Sequence, residues 1–321
     1  MPSNALARRI LTVTVVLLLT IAVTCLAPFL VLVAGAVDLF RPSVGERRWV
    51  TLRSLAFLWV YLIGEIWALI ALLATAALPG AAKLDVTFRL QHRWAGWNLK
   101  ALETLFDLEI VVEGAEVLLP GPVVVLSRHA SMVDTLLPAS IISKKSGLRL
   151  RYVLKRELLV DPALDIAGNR LPNVFIHRAS GDASERAAIR TLAEDLGPTD
   201  GVLIYPEGTR FSVEKLERAQ RTSGSGPSRA GYRQVLPPRP GGTLAILEAT
   251  DADVVVLAHH GLEGLATARE IWRGDLVGSQ ISVRIWRIER EKVPTGRSER
   301  MEWLYAVWGE IDDWVVSAGA R

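Results

Sequence analysis

The stretch Pro122-Val123-Val124-Val125-Leu126-Ser127-Arg128-His129-Ala130-Ser131-Met132-Val133-Asp134 decides how this chain is read. An apolar run of this length, rich in valine, suits a buried strand. It stops at a polar cluster. Ser131 followed three residues later by Asp134 is a helix-start pattern, in which the serine side chain caps the first N–H groups. The strand therefore delivers His129 to its carboxyl end, the place where open α/β sheets bind ligands. Residues five apart do not share a face of a regular helix. With His129 just ahead of the helix and Asp134 in its first turn, the carboxylate can still reach one imidazole nitrogen. The other nitrogen is then free to take a proton. Taken alone, the same spacing also describes a solvated loop histidine beside a capping aspartate, so a second motif has to decide.

That motif lies downstream. The run Val202–Tyr205 ends in Pro206-Glu207-Gly208-Thr209-Arg210. Arg210 can grip a phosphate with two parallel bonds, Gly208 lets a backbone approach closely, and Thr209 can donate a hydrogen bond. Glu207 would repel an anion, so it suits a ligand hydroxyl or the orientation of the arginine. Val174-Phe175-Ile176-His177-Arg178 is a third strand that ends in a cation, and Lys155-Arg156-Glu157-Leu158 follows a fourth. Each basic residue alone reads as a solvated surface charge. Several strands each ending in a cation are harder to dismiss.

Outward from these motifs, strand patterns fall at 108–113, 122–127, 150–154, 173–177, 201–205, 253–258 and 280–287. Helical periodicity falls at 88–106, 131–142, 183–196, 243–250 and 298–316. This alternation predicts an α/β fold: a single globular domain with a largely buried mixed sheet flanked by helices, over 83–321. The stripe Met301, Leu304, Trp308, Ile311 and Val315 should pack on that domain. Segment 212–242, rich in Arg, Gly, Ser and Pro, reads as a long surface loop.

Residues 1–82 differ in kind. Half of the 321 residues are hydrophobic, and the excess sits mostly here. No residue from Ile10 to Val37 is charged, a run long enough to cross a hydrocarbon core of roughly 30 Å. A second apolar run spans 55–78, and the link between them carries Arg41, Glu46, Arg47, Arg48 and Arg53. The expectation is an N-terminal membrane hairpin of two helices, about 10–37 and 55–78, that spans the bilayer or lies in one leaflet. Either way the N-terminus and the catalytic domain share one side. Glu65, inside the second run, should face the partner helix. A net charge of +3 gives no reason to expect nucleic acid, and the single cysteine, Cys25, excludes an intramolecular disulfide framework and a zinc cluster of cysteines.

The ordered set His129-x4-Asp134, then Phe175-Ile176-x-Arg178, then Tyr205-Pro206-Glu207-Gly208-Thr209-Arg210 resembles the glycerophospholipid acyltransferase family, in particular its 1-acylglycerol-3-phosphate and lysophospholipid acyltransferases. The resemblance covers about residues 85–290. It implies transfer of a fatty acyl group from acyl-CoA or acyl-ACP to a lysophospholipid hydroxyl, most simply lysophosphatidate, with no metal or other cofactor. His129 would be the base and Asp134 its partner. Arg178, Arg210 and Lys155 would hold the acceptor phosphate, with Glu207, Gly208 and Thr209 completing the substrate site. The bilayer would be a partner, with the catalytic domain on the cytoplasmic face, where the donors are. His177 departs from the aspartate usual in its block, and the segment after Arg210 is long. A hydrolase using Ser131 lacks a Gly-x-Ser-x-Gly elbow. A catalytically inactive lipid-binding protein would not be expected to keep His129, Asp134, Glu207 and Arg210 together.

Overall fold

Every expected strand forms in the computed structural model, which describes residues 4–41, 49–143, 146–177, 183–222, 231–263 and 268–319. They are β1 (Glu109–Glu113), β2 (Val123–Ser127), β3 (Arg149–Lys155), β4 (Val174–Ile176), β5 (Asp200–Ile204), β6 (Asp253–His260) and β7 (Gln280–Ile288). They make one mixed sheet in the order β1-β7-β6-β2-β5-β3-β4, in which only β6 and β7 are antiparallel neighbours. The central strand β2 is paired on both sides and buried along its whole length. Successive side chains of a strand point to opposite faces. Val124 and Leu126 thus enter one core and Val123 and Val125 the other. Each such fully buried side chain stabilises the fold by about 1.5–3 kcal/mol.

The helices are α1 (Ala5–Cys25), α2 (Ala27–Phe40), α3 (Val50–Ala74), α4 (Gly80–Phe106), α5 (Val133–Ser143), α6 (Pro162–Arg170), α7 (Ala183–Leu192), α8 (Val213–Thr222), α9 (Pro240–Leu247), α10 (Ala268–Arg273) and α11 (Arg297–Gly319). Leu304, Trp308, Ile311 and Val315 of α11 join α7 and α9 on one face of the sheet, and α4 and α5 cover the other. The segment 212–242 is not the surface loop its composition suggests. It begins as α8, and after residues 223–230, which lie outside the described set, Tyr232, Val235 and Leu236 are buried in the core. Asp312 of α11 holds that return by accepting from the N–H groups of Arg233, Gln234 and Val235 at 2.9, 2.6 and 3.1 Å.

The apolar N-terminus forms the two expected helical runs, the first divided into α1 and α2. The first run breaks at Leu26, because Pro28 has no N–H to offer the carbonyl four residues back. Helices α1 and α3 are each long and apolar enough to cross a membrane. Asp38, near the end of α2, caps α3 by accepting from the N–H groups of Thr51 and Leu52, both at 3.0 Å. Both ends of the α1–α2 arm are tied to the globular domain. At one end Arg8 donates to both carboxylate oxygens of the buried Asp165 in α6, at 2.7 and 3.0 Å, and Arg9 adds a third bond at 3.2 Å. At the other end Arg41 donates to the Trp272 carbonyl and lies 5.0 Å from the centre of its ring, in α10. Glu65 is fully buried, as an ionisable group in an apolar helix should be, but it faces the domain rather than the partner helix. Its neighbours are Asp161, Ala163 and Trp94.

Candidate active site

Because β2, β3, β4, β5 and β6 run parallel, their carboxyl ends lie along one edge of the sheet. His129 leaves β2 there. Ser131 caps the next turn as its spacing predicts, its Oγ accepting from the N–H groups of Val133 and Asp134 at 3.0 and 3.2 Å. Asp134 then folds back. His129 Nδ1 lies 3.1 and 3.2 Å from its two carboxylate oxygens, and the N–H groups of Ala130 and Ser131 donate to Oδ2 at 2.6 and 2.8 Å. Asp134 is completely buried. Burial alone would push its acidity down. Hydrogen bonds from His129 and His259, and their charge when protonated, outweigh that and hold the carboxyl well below the usual range. The acceptor-only carboxylate fixes the proton on Nδ1, so Nε2 of His129 is the basic nitrogen. Tyr205 packs on the imidazole with ring centres 4.7 Å apart.

Glu207 occupies a different place from the one its motif suggests. It is 1 % exposed, and its two oxygens accept from the backbone N–H groups of His129 (3.1 Å) and Leu236 (3.3 Å). This corrects the expected substrate contact: the carboxylate is turned inward, where it buckles the end of β2 to the 231–236 return. Burial pushes its pKa up to about 8, against the pull of Arg128 and those N–H groups. Two further backbone bonds close the buckle, from Phe211 N–H to the His129 carbonyl (2.8 Å) and from Arg239 N–H to the Pro206 carbonyl (2.7 Å). Gly208 has φ +66°, and a Cβ there would meet Arg239 Cδ at 3.2 Å, so the turn needs glycine. Thr209 Oγ1 and the Arg210 carbonyl accept from Lys215 Nζ at 3.1 and 2.7 Å. Arg210 is half-buried on this edge, and Lys155 ends β3 on it. Arg178 lies outside the described residues. His177, which departs from the family block, meets Arg156, whose NH1 is 3.1 Å from its Nε2.

Two residues of the site were invisible as such in the sequence. Arg128 is completely buried and donates to the carbonyls of His259 (2.6 Å) and Gln234 (2.7 Å) and to the Glu263 carboxylate. His259, at the end of β6, stands against Asp134 from the far side of β2. The only hint was that β6, like the motif strands, ends in polar residues. The rim of the edge is apolar: Met132, Leu158, Val160 and Val213 follow the ends of β2, β3 and β5 and are all exposed.

Comparison with known proteins bears on the family and the fold. The acyltransferase family model matches residues 109–258. Mouse lysocardiolipin acyltransferase 1 is 23% identical over 239 residues, covering 71% of this chain and 62% of the relative. The 1-acyl-sn-glycerol-3-phosphate acyltransferase of Pseudomonas aeruginosa is 27% identical over 156 residues, covering 49% of this chain and 58% of the relative. The lyso-ornithine lipid O-acyltransferase of the same organism is 31% identical over 139 residues, covering 43% and 48%. The chain thus spans less than two thirds of the length of these curated relatives. The crystal structure of the 1-acyl-sn-glycerophosphate acyltransferase PlsC from Thermotoga maritima superposes with a TM-score of 0.59 at 18% identity, over 84% of this chain and 96% of that one, and shares its fold.

Proposed function

We propose that this chain, whose residues 109–258 match the acyltransferase family model, is a membrane-bound O-acyltransferase of the glycerophospholipid acyltransferase type acting on a lysophospholipid, with lysophosphatidate the first acceptor to test. The observation that carries this reading is the His129–Asp134 pair. The Nδ1 of His129 is held by a buried carboxylate, which leaves Nε2 as the nitrogen that can take a proton. The acceptor hydroxyl gives its proton to His129 Nε2 as its oxygen attacks the thioester carbonyl. Asp134 offsets the charge that His129 gains. The tetrahedral intermediate collapses, the acyl–sulfur bond breaks, and the donor leaves as a thiol that takes up the proton. Arg210, with Lys155 and Arg178, binds the acceptor phosphate.

Arg210→Ala should raise the acceptor KM roughly 10- to 100-fold, the scale of a lost charge-assisted hydrogen bond, while kcat changes little. A thiol-release assay with palmitoyl-CoA and a panel of lysophospholipids measures this. Acceptor-dependent release with lysophosphatidate supports the reading, whereas release only with other acceptors moves the substrate and keeps the mechanism. No release with CoA or ACP donors would overturn it.

The apolar rim beside His129 and the exposed apolar faces of α1 and α3 support catalysis at a lipid surface. The hairpin lies in one leaflet rather than across the bilayer. An arm whose two ends are both held by one globular domain, through Arg8 with Asp165 and Arg41 with Trp272, does not carry its far end to the opposite side. Trp49→Cys in a Cys25→Ser background should react with a membrane-impermeant maleimide from the same side as Ser317→Cys on α11. Labelling from opposite sides would mean that the hairpin spans.

A further inference from the structure

Asp134 is reached by four donors. Three come from its own turn: the imidazole of His129 and the N–H groups of Ala130 and Ser131. The fourth comes from β6. His259 is completely buried, with Nε2 3.1 Å from the Arg128 carbonyl oxygen and 3.5 Å from Asp134 Oδ2. A carbonyl only accepts, so the hydrogen bond to Arg128 puts the proton on Nε2, and the same nitrogen lies beside Asp134 Oδ2. His259 Nδ1 has no partner among the described residues although it is buried. An unsatisfied buried nitrogen opposes folding, and an apolar ring of the same outline would avoid it. What the imidazole adds at this position is therefore its Nε2–H.

We propose that His259 is a positioning residue for the acyl transfer described above: its Nε2–H steadies Asp134 from the β6 side, so that the carboxylate stays aimed at His129. The inference rests on His129 being the base. Asp134 then sits between two imidazoles, and only the one at the open edge meets substrate. The charged and titratable groups around the pair are Arg128 after β2, Tyr205 and Glu207 after β5, His260 at the end of β6 and Glu263 after it. None of them replaces the Nε2–H, because Arg128 and Glu263 pair with each other and Glu207 accepts backbone N–H groups.

The direction of the effect follows from the charges. Without the Nε2–H the carboxylate is no longer held against His129. The His129 imidazolium then loses part of its stabilisation, and its titration midpoint falls. The test uses the full chain in detergent with two variants. His259→Phe keeps the ring and removes the donor. The Arg128 carbonyl it exposes still accepts from Ser127 Oγ at 3.2 Å, which favours a folded variant. His259→Gln restores an N–H near Nε2. Histidine-labelled protein is titrated by NMR, with the His129 signal among the five histidines identified by its loss in His129→Ala. The midpoint should fall by roughly one pH unit in the Phe variant and return in the Gln variant. The acid limb of the kcat profile should move the same way, with kcat down roughly 10- to 100-fold and the acceptor KM unchanged. A merely structural role would lower the folded fraction without moving the midpoint. An unmoved midpoint, or a Gln variant no better than Phe, overturns the proposal. If wild-type protein turns over no acceptor, the acyl-transfer reading fails separately, and the NMR comparison still decides whether His259 holds the pair.

Discussion

Replacing His129 by alanine should lower kcat by roughly 10²- to 10⁴-fold, the contribution of a positioned general base, and leave the protein folded. The fold should survive because the His129 side chain is not a core element. It touches Asp134 and the Tyr205 ring at the open edge of the sheet. Its loss leaves Asp134 with the N–H groups of Ala130 and Ser131 and with His259, so no bare carboxylate is stranded. Asp134→Asn should differ in kind. It removes the negative charge that keeps the proton on Nδ1, so it should impair both activity and the Ser131 turn. Thiol release in saturating substrates, read beside a thermal melt, separates the two effects. Full turnover in His129→Ala would sink the assignment of the base.

The largest stability effect is expected at Arg128, one residue earlier. Its guanidinium is completely buried and joins three segments: the end of β6 through the His259 carbonyl, the 231–236 return through the Gln234 carbonyl, and Glu263. The Phe211 ring lies 5.8 Å from it. Burial would raise the Glu263 carboxyl, but the charge of Arg128 outweighs that and holds it well below the usual range. Arg128→Leu would strand that carboxylate and leave two carbonyls without a donor. The expected cost is about 3–5 kcal/mol, or a fall in Tm on the order of 10 °C. Arg128→Lys should rescue little, since one ammonium cannot reach acceptors in three directions as a guanidinium does. Adding Glu263→Gln to Arg128→Leu should recover part of the loss, because it removes the unpaired charge. A melt of Arg128→Leu that matches wild type would mean that the network contributes nothing to the fold.

The same residue shows where reading the sequence stops. Arg128 stands inside the most informative motif of the chain, yet nothing beside it tells that its guanidinium is completely buried. Its partners are 106, 131 and 135 positions away. Glu207 misled for the same reason. Its motif says that it reaches the carboxyl edge, but whether the side chain then points to solvent or into the buckle depends on where Leu236 returns, and that segment looked like loop. The composition of 212–242 concealed α8 and the buried core residues Leu216, Tyr232, Val235 and Leu236, because serine, glycine and proline report backbone preference and not what later packs on top.

What the sequence by itself determined is local. The alternation of apolar runs with helical periodicity located the seven strands of the described residues, because a strand covered on both faces reads as a short continuous apolar run. The Ser131 cap and the His129–Asp134 contact followed from a turn only a few residues long. The tertiary structure alone decided the rest: His259 on the far side of Asp134, Glu207 turned onto the His129 backbone, Arg8 and Arg9 on Asp165, and an apolar arm tied down at both ends. Each of these depends on which strands lie side by side and in what register. A parallel sheet draws its neighbours from distant parts of the chain, and no property of one segment names the residue that will stand opposite it.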